Sequence, residues 1–156
     1  PMWLKSRCRL RVREAAQGEP VCAGTVFIAR GDWHLEAMAA TAAEKPVTLR
    51  LHQGATENHC RPAVDVLFRS VARVYGAGVL AVVLTGMGSD GLAGSRMIRD
   101  LGGTVMAQDE ASSTVWGMPG AVAGAGLAHK VLSLDSIAPE ILRIARQGAL
   151  RQVVCE

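Results

Sequence analysis

The sequence predicts an α/β fold: a β-rich first third, followed by parallel strands that alternate with helices. Three observations carry that prediction. Four short runs between residues 7 and 51 have strand-like composition or alternation, with no helical period between them. From residue 62 onward helix and strand signals succeed one another to the end of the chain, the order expected of βα units with right-handed crossovers. Finally, Leu80-Ala81-Val82-Val83-Leu84 is an unbroken apolar run leading into the glycine-rich stretch Thr85–Gly91. That is how a parallel strand buried on both faces enters a strand-to-helix turn.

Residues 7–13 alternate strictly between charged and apolar, the period of a half-buried strand whose arginines block edge-to-edge pairing. Gln17–Pro20 reads as a turn, and strands follow at 25–29, 35–39 and 47–51, the last two joined by the polar link 41–46. This third reads as a meander. His34 and His52, at the start and end of two of its strands, read as loop or edge residues, not as ligands. Pro62 suits the first turn of a helix, and Val64, Leu67, Phe68, Val71 and Val74 give it an apolar stripe as far as Tyr75-Gly76. A central strand at 79–84 precedes the glycine turn. A helix from Leu92 to Leu101 stops at Gly102-Gly103, and a strand follows at 104–108. Gly117 opens a small-residue helix to about Ala125. A last strand spans 130–134, and Asp135 or Ser136 caps a helix to Gln147. Neither repeats nor low-complexity linkers interrupt the chain, which reads as one domain.

Composition narrows the function classes. The chain has 156 residues, 49% hydrophobic and 20% charged, enough for one domain with a real core. Its net charge of +3 is small, and five of its basic residues precede the first acid, so the rest of the chain is slightly acidic. Nucleic-acid binding is not expected. No apolar run is long enough to span a membrane, so membrane insertion is not expected either. Cys8, Cys22, Cys60 and Cys155 are scattered without a C-x-x-C pair and read as reduced thiols of a cytosolic protein. His59-Cys60 has no second ligand pair at metal-binding spacing. The chain opens on Pro1, which fits either a removed initiator methionine or a piece of a longer protein.

The glycine turn admits three readings. Gly86-Met87-Gly88-Ser89-Asp90-Gly91 satisfies G-x-G-x-x-G after a strand and before a helix, with Asp109 about 20 residues on where a ribose-binding acid would lie. A dinucleotide's pyrophosphate, however, would meet the Asp90 carboxylate in the cradle with no Lys or Arg close in sequence to offset it. The second reading makes Asp90 the fixed acid beside a catalytic histidine, with the exposed Met87 and Gly88 amides as oxyanion donors. The third makes the turn purely structural, with Asp90 as a helix cap.

Leu84-Thr85-Gly86-Met87-Gly88-Ser89-Asp90-Gly91 resembles the L-T-G-M-G-x-D-G motif of the chemotaxis protein-glutamate methylesterases, the CheB-type catalytic domain. Residues 61–68 before it, residues 107–112 and 117–119 after it, and the Gly24–His34 stretch are similar to further family segments, in the family's order. The resemblance implies a doubly wound, mainly parallel α/β sheet with an antiparallel hairpin region. It implies hydrolysis of glutamate methyl esters, with deamidation of glutamine, on the cytoplasmic helices of methylated chemoreceptors. The chemistry is that of a Ser-His-Asp triad, with no cofactor and no metal, in a cytoplasmic protein. Asp90 matches the triad aspartate, and Met87 the residue whose backbone amide helps form the oxyanion hole. A regulatory receiver domain upstream is left open.

The family's serine lies in a G-A-S-T-G-G turn and its histidine in a Q-H-M-P segment, and neither motif occurs in residues 1–156. Ser89, Ser95, Ser112 and Ser113 are not in a nucleophile-elbow context. The expectation is therefore a CheB-type domain lacking its N-terminal βα units: inactive alone, holding the acid and oxyanion part of the site, and leaving a strand edge exposed. The alternatives are a degenerate domain that binds receptor or a signalling partner through the Arg7–Arg13 face and, more remotely, a dinucleotide-binding domain.

Overall fold

The computed structural model describes residues 10–39 and 46–153. Seven strands and four helices lie within them: β1 Arg11–Glu14, β2 Thr25–Ile28, β3 His34–Met38, β4 Thr48–His52, α1 Val64–Tyr75, β5 Leu80–Val83, α2 Leu92–Asp100, β6 Thr104–Gln108, α3 Gly117–Gly124, β7 Lys130–Leu132 and α4 Leu134–Val153. A single 3-10 turn, Gly76–Gly78, joins α1 to β5.

The second half follows the βα pattern. Strands β5, β6 and β7 are parallel neighbours in that order, with Leu80 opposite Thr104 and Met106 opposite Lys130. The middle position explains the burial of β6, whose Val105, Met106 and Ala107 are fully enclosed. The run expected to be the central strand, β5, pairs with β6 among the described residues, and its burial alternates. Leu84, just past it, is 43% exposed.

The first third is β-rich but not a meander. β1 and β2 pair in parallel, Arg11 opposite Thr25, whereas only β3 and β4 form an antiparallel hairpin, with His34 opposite His52 and Leu35 opposite Leu51. The turn at 17–18 sends the chain past β4, where the Gly18 amide bonds Leu49 and the Glu19 carbonyl receives the Leu49 amide, before it returns alongside β1. Residues 7–9 of the predicted first strand, most of the polar link, and Cys8 and Cys155 lie outside the described residues; Cys22 and Cys60 are free and exposed.

Helix α1 sits between two apolar clusters. Its Phe68 packs on the cluster of Ala72, Ala81, Val83, Ile98, Val105, Val122 and Leu127, while Leu67 packs on Ala15, Leu35 and Leu49 under the hairpin. Buried Ser70 ties the helix to β3, receiving the Ala37 amide at 2.9 Å and donating to the Leu67 carbonyl at 2.7 Å. On the opposite face α1 meets α2 so closely that a Cβ on Gly94 would come within 2.4 Å of the Phe68 Cβ. Two predicted helix starts shift. Pro62 lies ahead of α1 because Ala63 is its cap residue, and α4 begins at Leu134, so Asp135 and Ser136 fall inside its first turn.

Candidate active site

Ala63 has no side-chain acceptor, so the first amides of α1 need one from elsewhere. Asp90 supplies it across 26 residues of sequence: Oδ2 accepts from Val64 N–H at 2.7 Å and Oδ1 from Asp65 N–H at 3.0 Å. The exchange is mutual. Asp65, in the first turn of α1, receives the Gly94 amide of α2 on Oδ1 at 2.6 Å. Each helix therefore offers its N-terminal N–H groups to a carboxylate carried at the start of the other, where the helix dipole favours negative charge. Asn58 closes the pair, its Nδ2 donating to Asp65 Oδ2 and to Asp90 Oδ1, both at 2.9 Å. Gly91 N–H adds a third donor to Asp90 Oδ1 at 3.0 Å. Both carboxylates are buried, Asp65 to 3% exposure and Asp90 to 6%.

Asn58 reaches this position from a tight turn in which Glu57 and Cys60 bond each other's backbone and Asn58 and His59 take positive φ of 51° and 62°. Arg69 of α1 grips the Glu57 carboxylate with two bonds of 2.6 and 2.5 Å and thereby holds its carboxyl below the ordinary value. A surface cleft of about 220 Å³ lies against this network, lined by Asn58, Asp65, Ser89, Leu92, Ala93 and Arg96.

The glycine turn is pinned from its other side. Buried Gln108, last residue of β6, accepts Thr85 N–H on Oε1 at 2.9 Å and donates from Nε2 to the Ser112 carbonyl at 2.7 Å. Gly86 N–H bonds the Val115 carbonyl, and the Gly86 carbonyl receives Met118 N–H at 2.8 Å. After Gly86 the pairing stops. Among the described residues nothing accepts the Met87 or Gly88 amides, the Met87 side chain is 86% exposed, and Gly88 and Gly91 take φ of 85° and 92°, which an L side chain rarely adopts.

This arrangement removes the basis of the dinucleotide reading. The amide at the start of α2 that would face a pyrophosphate is filled by Asp65, and Asp90 stands beside it. Asp109, its ribose acid, is engaged on Oδ1 by the Ser112 amide and hydroxyl at 2.9 and 2.6 Å, which hold its carboxyl below the ordinary value. The structural reading of Asp90 as a cap is correct in kind, but the capped helix is α1 and not its own. The cap leaves chemistry available: Oδ1 takes three donors and Oδ2 only one, so Oδ2 keeps an acceptor position for a further N–H.

The family model for the CheB methylesterase matches residues 1–141. The chain belongs to the CheB methylesterase family. It is 58% identical over 137 residues to a protein-glutamate methylesterase/protein-glutamine glutaminase of Nocardioides sp., covering 87% of this chain and 37% of that protein. It is 50% identical over 140 residues to one of the same name from Trichodesmium erythraeum, covering 90% of this chain and 39% of that protein. The chain thus spans about two fifths of these curated relatives. The crystal structure of the Thermotoga maritima CheB methylesterase catalytic domain superposes with a TM-score of 0.87 at 38% identity, covering 92% of this chain and 74% of that one. The mixed α/β fold with its β3–β4 hairpin is that of a CheB catalytic domain.

Of the residues singled out from the sequence, Asp90 and Met87 lie on the same turn, one buried in bonds and the other exposed with a free amide. His34 stands at the edge expected of it, the first residue of a strand in a two-stranded hairpin, yet it is 1% exposed, because the 55–63 segment closes over the start of β3 and supplies its ring with partners. Of the arginine face, Arg7 and Arg9 lie outside the described residues, and Arg13 pairs with Glu19 and stacks 5.3 Å from the Phe27 ring centre. Asn58, Asp65 and Gln108 were given no role from sequence, although Asp65 and Gln108 stand within the segments that carry the resemblance. No helix among the described residues is long and apolar enough to cross a membrane.

Proposed function

We propose that residues 1–156 form a single CheB-type domain carrying the acid and oxyanion part of a protein-glutamate methylesterase and glutaminase site. What supports this most is the Asp90 carboxylate: buried, anchored by four N–H donors, with an acceptor position left on Oδ2, on the turn that leaves the Met87 amide free. A histidine N–H donating to Oδ2 is held in one orientation and tautomer, as a triad base must be. That histidine takes the proton of a serine hydroxyl as its oxygen adds to the glutamyl ester carbonyl. The Met87 N–H receives the negative charge that develops on the carbonyl oxygen. Collapse of the tetrahedral species expels methoxide, which takes the histidine's proton and leaves as methanol. A water molecule, deprotonated by the same histidine, then adds to the glutamyl-serine ester; collapse expels the serine oxygen, which takes back the histidine's proton, and frees the glutamate carboxylate, while a glutamine side chain gives ammonia in place of methanol.

The serine and histidine are not assigned to residues of this chain, because the motifs that would carry them are not in its sequence. The chain alone is accordingly inactive in this reading. The substrate is a methylated helix of a chemoreceptor, and the protein works in the cytoplasm. Methanol release from methylated receptor tests the proposal, with this chain alone and with it joined to a segment carrying the serine and histidine motifs. The expected result is no turnover from the chain alone and turnover from the joined form that falls roughly 10⁴-fold in Asp90→Asn. Turnover by the chain alone that survives Asp90→Asn overturns it.

A further inference from the structure

Asp90 is oriented by the first amides of α1, so whatever fixes that helix end also fixes the acid. One buried side chain does so from the hairpin. The His34 ring sits at the start of β3, 1% exposed, with its Nε2 2.9 Å from the Ala55 carbonyl and its Nδ1 receiving the Ala63 N–H at 3.3 Å. A carbonyl can only accept and an amide can only donate, so the two contacts together demand the neutral Nε2–H tautomer. Ala63 is the cap residue of α1, and the next amide, Val64, bonds Asp90 Oδ2. Both bonds from His34 thus end on the segment that carries Asn58 and leads into the helix start, and Asn58 itself donates to Asp90. A second side-chain tie between this segment and the start of the hairpin, Arg61 to Asp32 at 2.6 Å, is more exposed and reaches neither Ala63 nor the carboxylates of Asp65 and Asp90.

We propose that His34 is a positioning residue for Asp90, acting through the Ala63 amide and the first turn of α1, so that the β3–β4 hairpin is the buttress of the acid corner of the site. The inference rests on the function proposed for Asp90, but its consequences for Asp90 itself are readable without turnover.

The test compares His34→Asn with His34→Gln in this chain. The shorter amide brings its oxygen near the position of Nδ1 and keeps an acceptor for Ala63; the longer one reaches toward Ala55 and leaves Ala63 without one. Two signals are read by NMR: hydrogen exchange of the Val64 and Asp65 amides relative to those of β6, and the side-chain carboxyl carbon resonance of Asp90. His34→Gln is expected to lower protection of the two amides at least about tenfold relative to β6 and to move the Asp90 resonance, while His34→Asn retains both. Unchanged signals in His34→Gln, or equal losses in the two variants, overturn the proposal. Should His34→Gln fail to fold, the unsubstituted chain decides: an Nε2–H ring with coupling across the Ala63 N–H to Nδ1 bond supports it, and an Nδ1–H ring overturns it. In a form competent for ester hydrolysis, His34→Gln lowers kcat by about 10²-fold with KM unchanged. Absence of turnover in the unsubstituted form defeats the methylesterase reading and leaves the NMR outcome standing.

Discussion

Replacing Asp90 by Asn separates two accounts of this residue, because the bonds counted above make the substitution costly to the fold as well as to any chemistry. The carboxamide keeps the shape, loses the charge and turns one acceptor into a donor. With its nitrogen at the Oδ1 position it would confront three N–H groups, from Asp65, Gly91 and Asn58; with its nitrogen at Oδ2 it confronts only Val64 N–H. The second orientation is the cheaper. It forfeits one charge-assisted hydrogen bond, about 1.5–3 kcal/mol, and the attraction of a carboxylate for a helix N-terminus, about 0.3–1 kcal/mol and somewhat more when partly buried. The expected loss is about 2–4 kcal/mol, which in a chain of this size lowers Tm by roughly 5–15 °C. Urea unfolding followed by circular dichroism measures it, with loss of exchange protection at Val64 and Asp65 as the local signature. A variant within about 0.5 kcal/mol of the parent would refute the reasoning, since an acid serving only a histidine could be neutralised at little cost to the fold.

Two further outcomes concern the same network and the turn beside it, and a third an ion-pair cluster on the last helix. Asp65→Asn and Asp90→Asn share the Asn58 amide and each other's helix ends, so a double-mutant cycle in urea should give a coupling above about 0.5 kcal/mol; strict additivity would deny the mutual cap. Gln108→Leu takes the acceptor from the part-buried Thr85 amide and should cost about 1–2 kcal/mol, with line broadening of the Thr85, Gly86 and Met87 amides as the turn loosens. Glu140 is held down to about 2 from 4.5, first by the Arg143 guanidinium and then by the Lys130 ammonium. A carboxyl depressed in the folded state stabilises above its ordinary value and loses that contribution as pH falls from 4.5 toward about 2. The Tm difference between the parent and Glu140→Gln should therefore be constant above about pH 5 and shrink below it.

The elements themselves were legible because their punctuation is local. Gly102-Gly103 ends α2, the alternation within 7–13 marks a strand that the structure describes at Arg11–Glu14, and the glycine turn isolates Asp90 as its one carboxylate. Pairing was not legible in the same way. Nothing in residues 15–24 signals that β2 will lie parallel to β1, since the connection crosses against β4 without a helix to announce it. Nor could the flanking sequence reveal that α1 is capped from residue 90: Ala63 offers no acceptor, and long-range caps leave no periodic trace. His34 misled for a related reason. It stands beside Asp32 and Trp33, a turn-like context, and its burial depends on the 55–63 segment folding over it.

The two buried carboxylates, 25 residues apart in sequence, differ in their bonds: Asp90 takes four N–H donors and Asp65 two. Asp65 lies between the two helices, its Oδ1 taken at 2.6 Å by Gly94 N–H at a point where a Cβ on residue 94 would stand only 3.2 Å away. Asp90 is flanked on the turn by exposed Ser89 and by the free amides at 87 and 88. Four donors fix the plane of Asp90, which is the preorganisation the proposed histidine partner would require. The bonds that confer this preorganisation are the ones that start α1. If Asp90 has the role proposed for it, fold stability and site geometry rest on one set of N–H groups, and substitutions that loosen the first turn of α1 weaken both together.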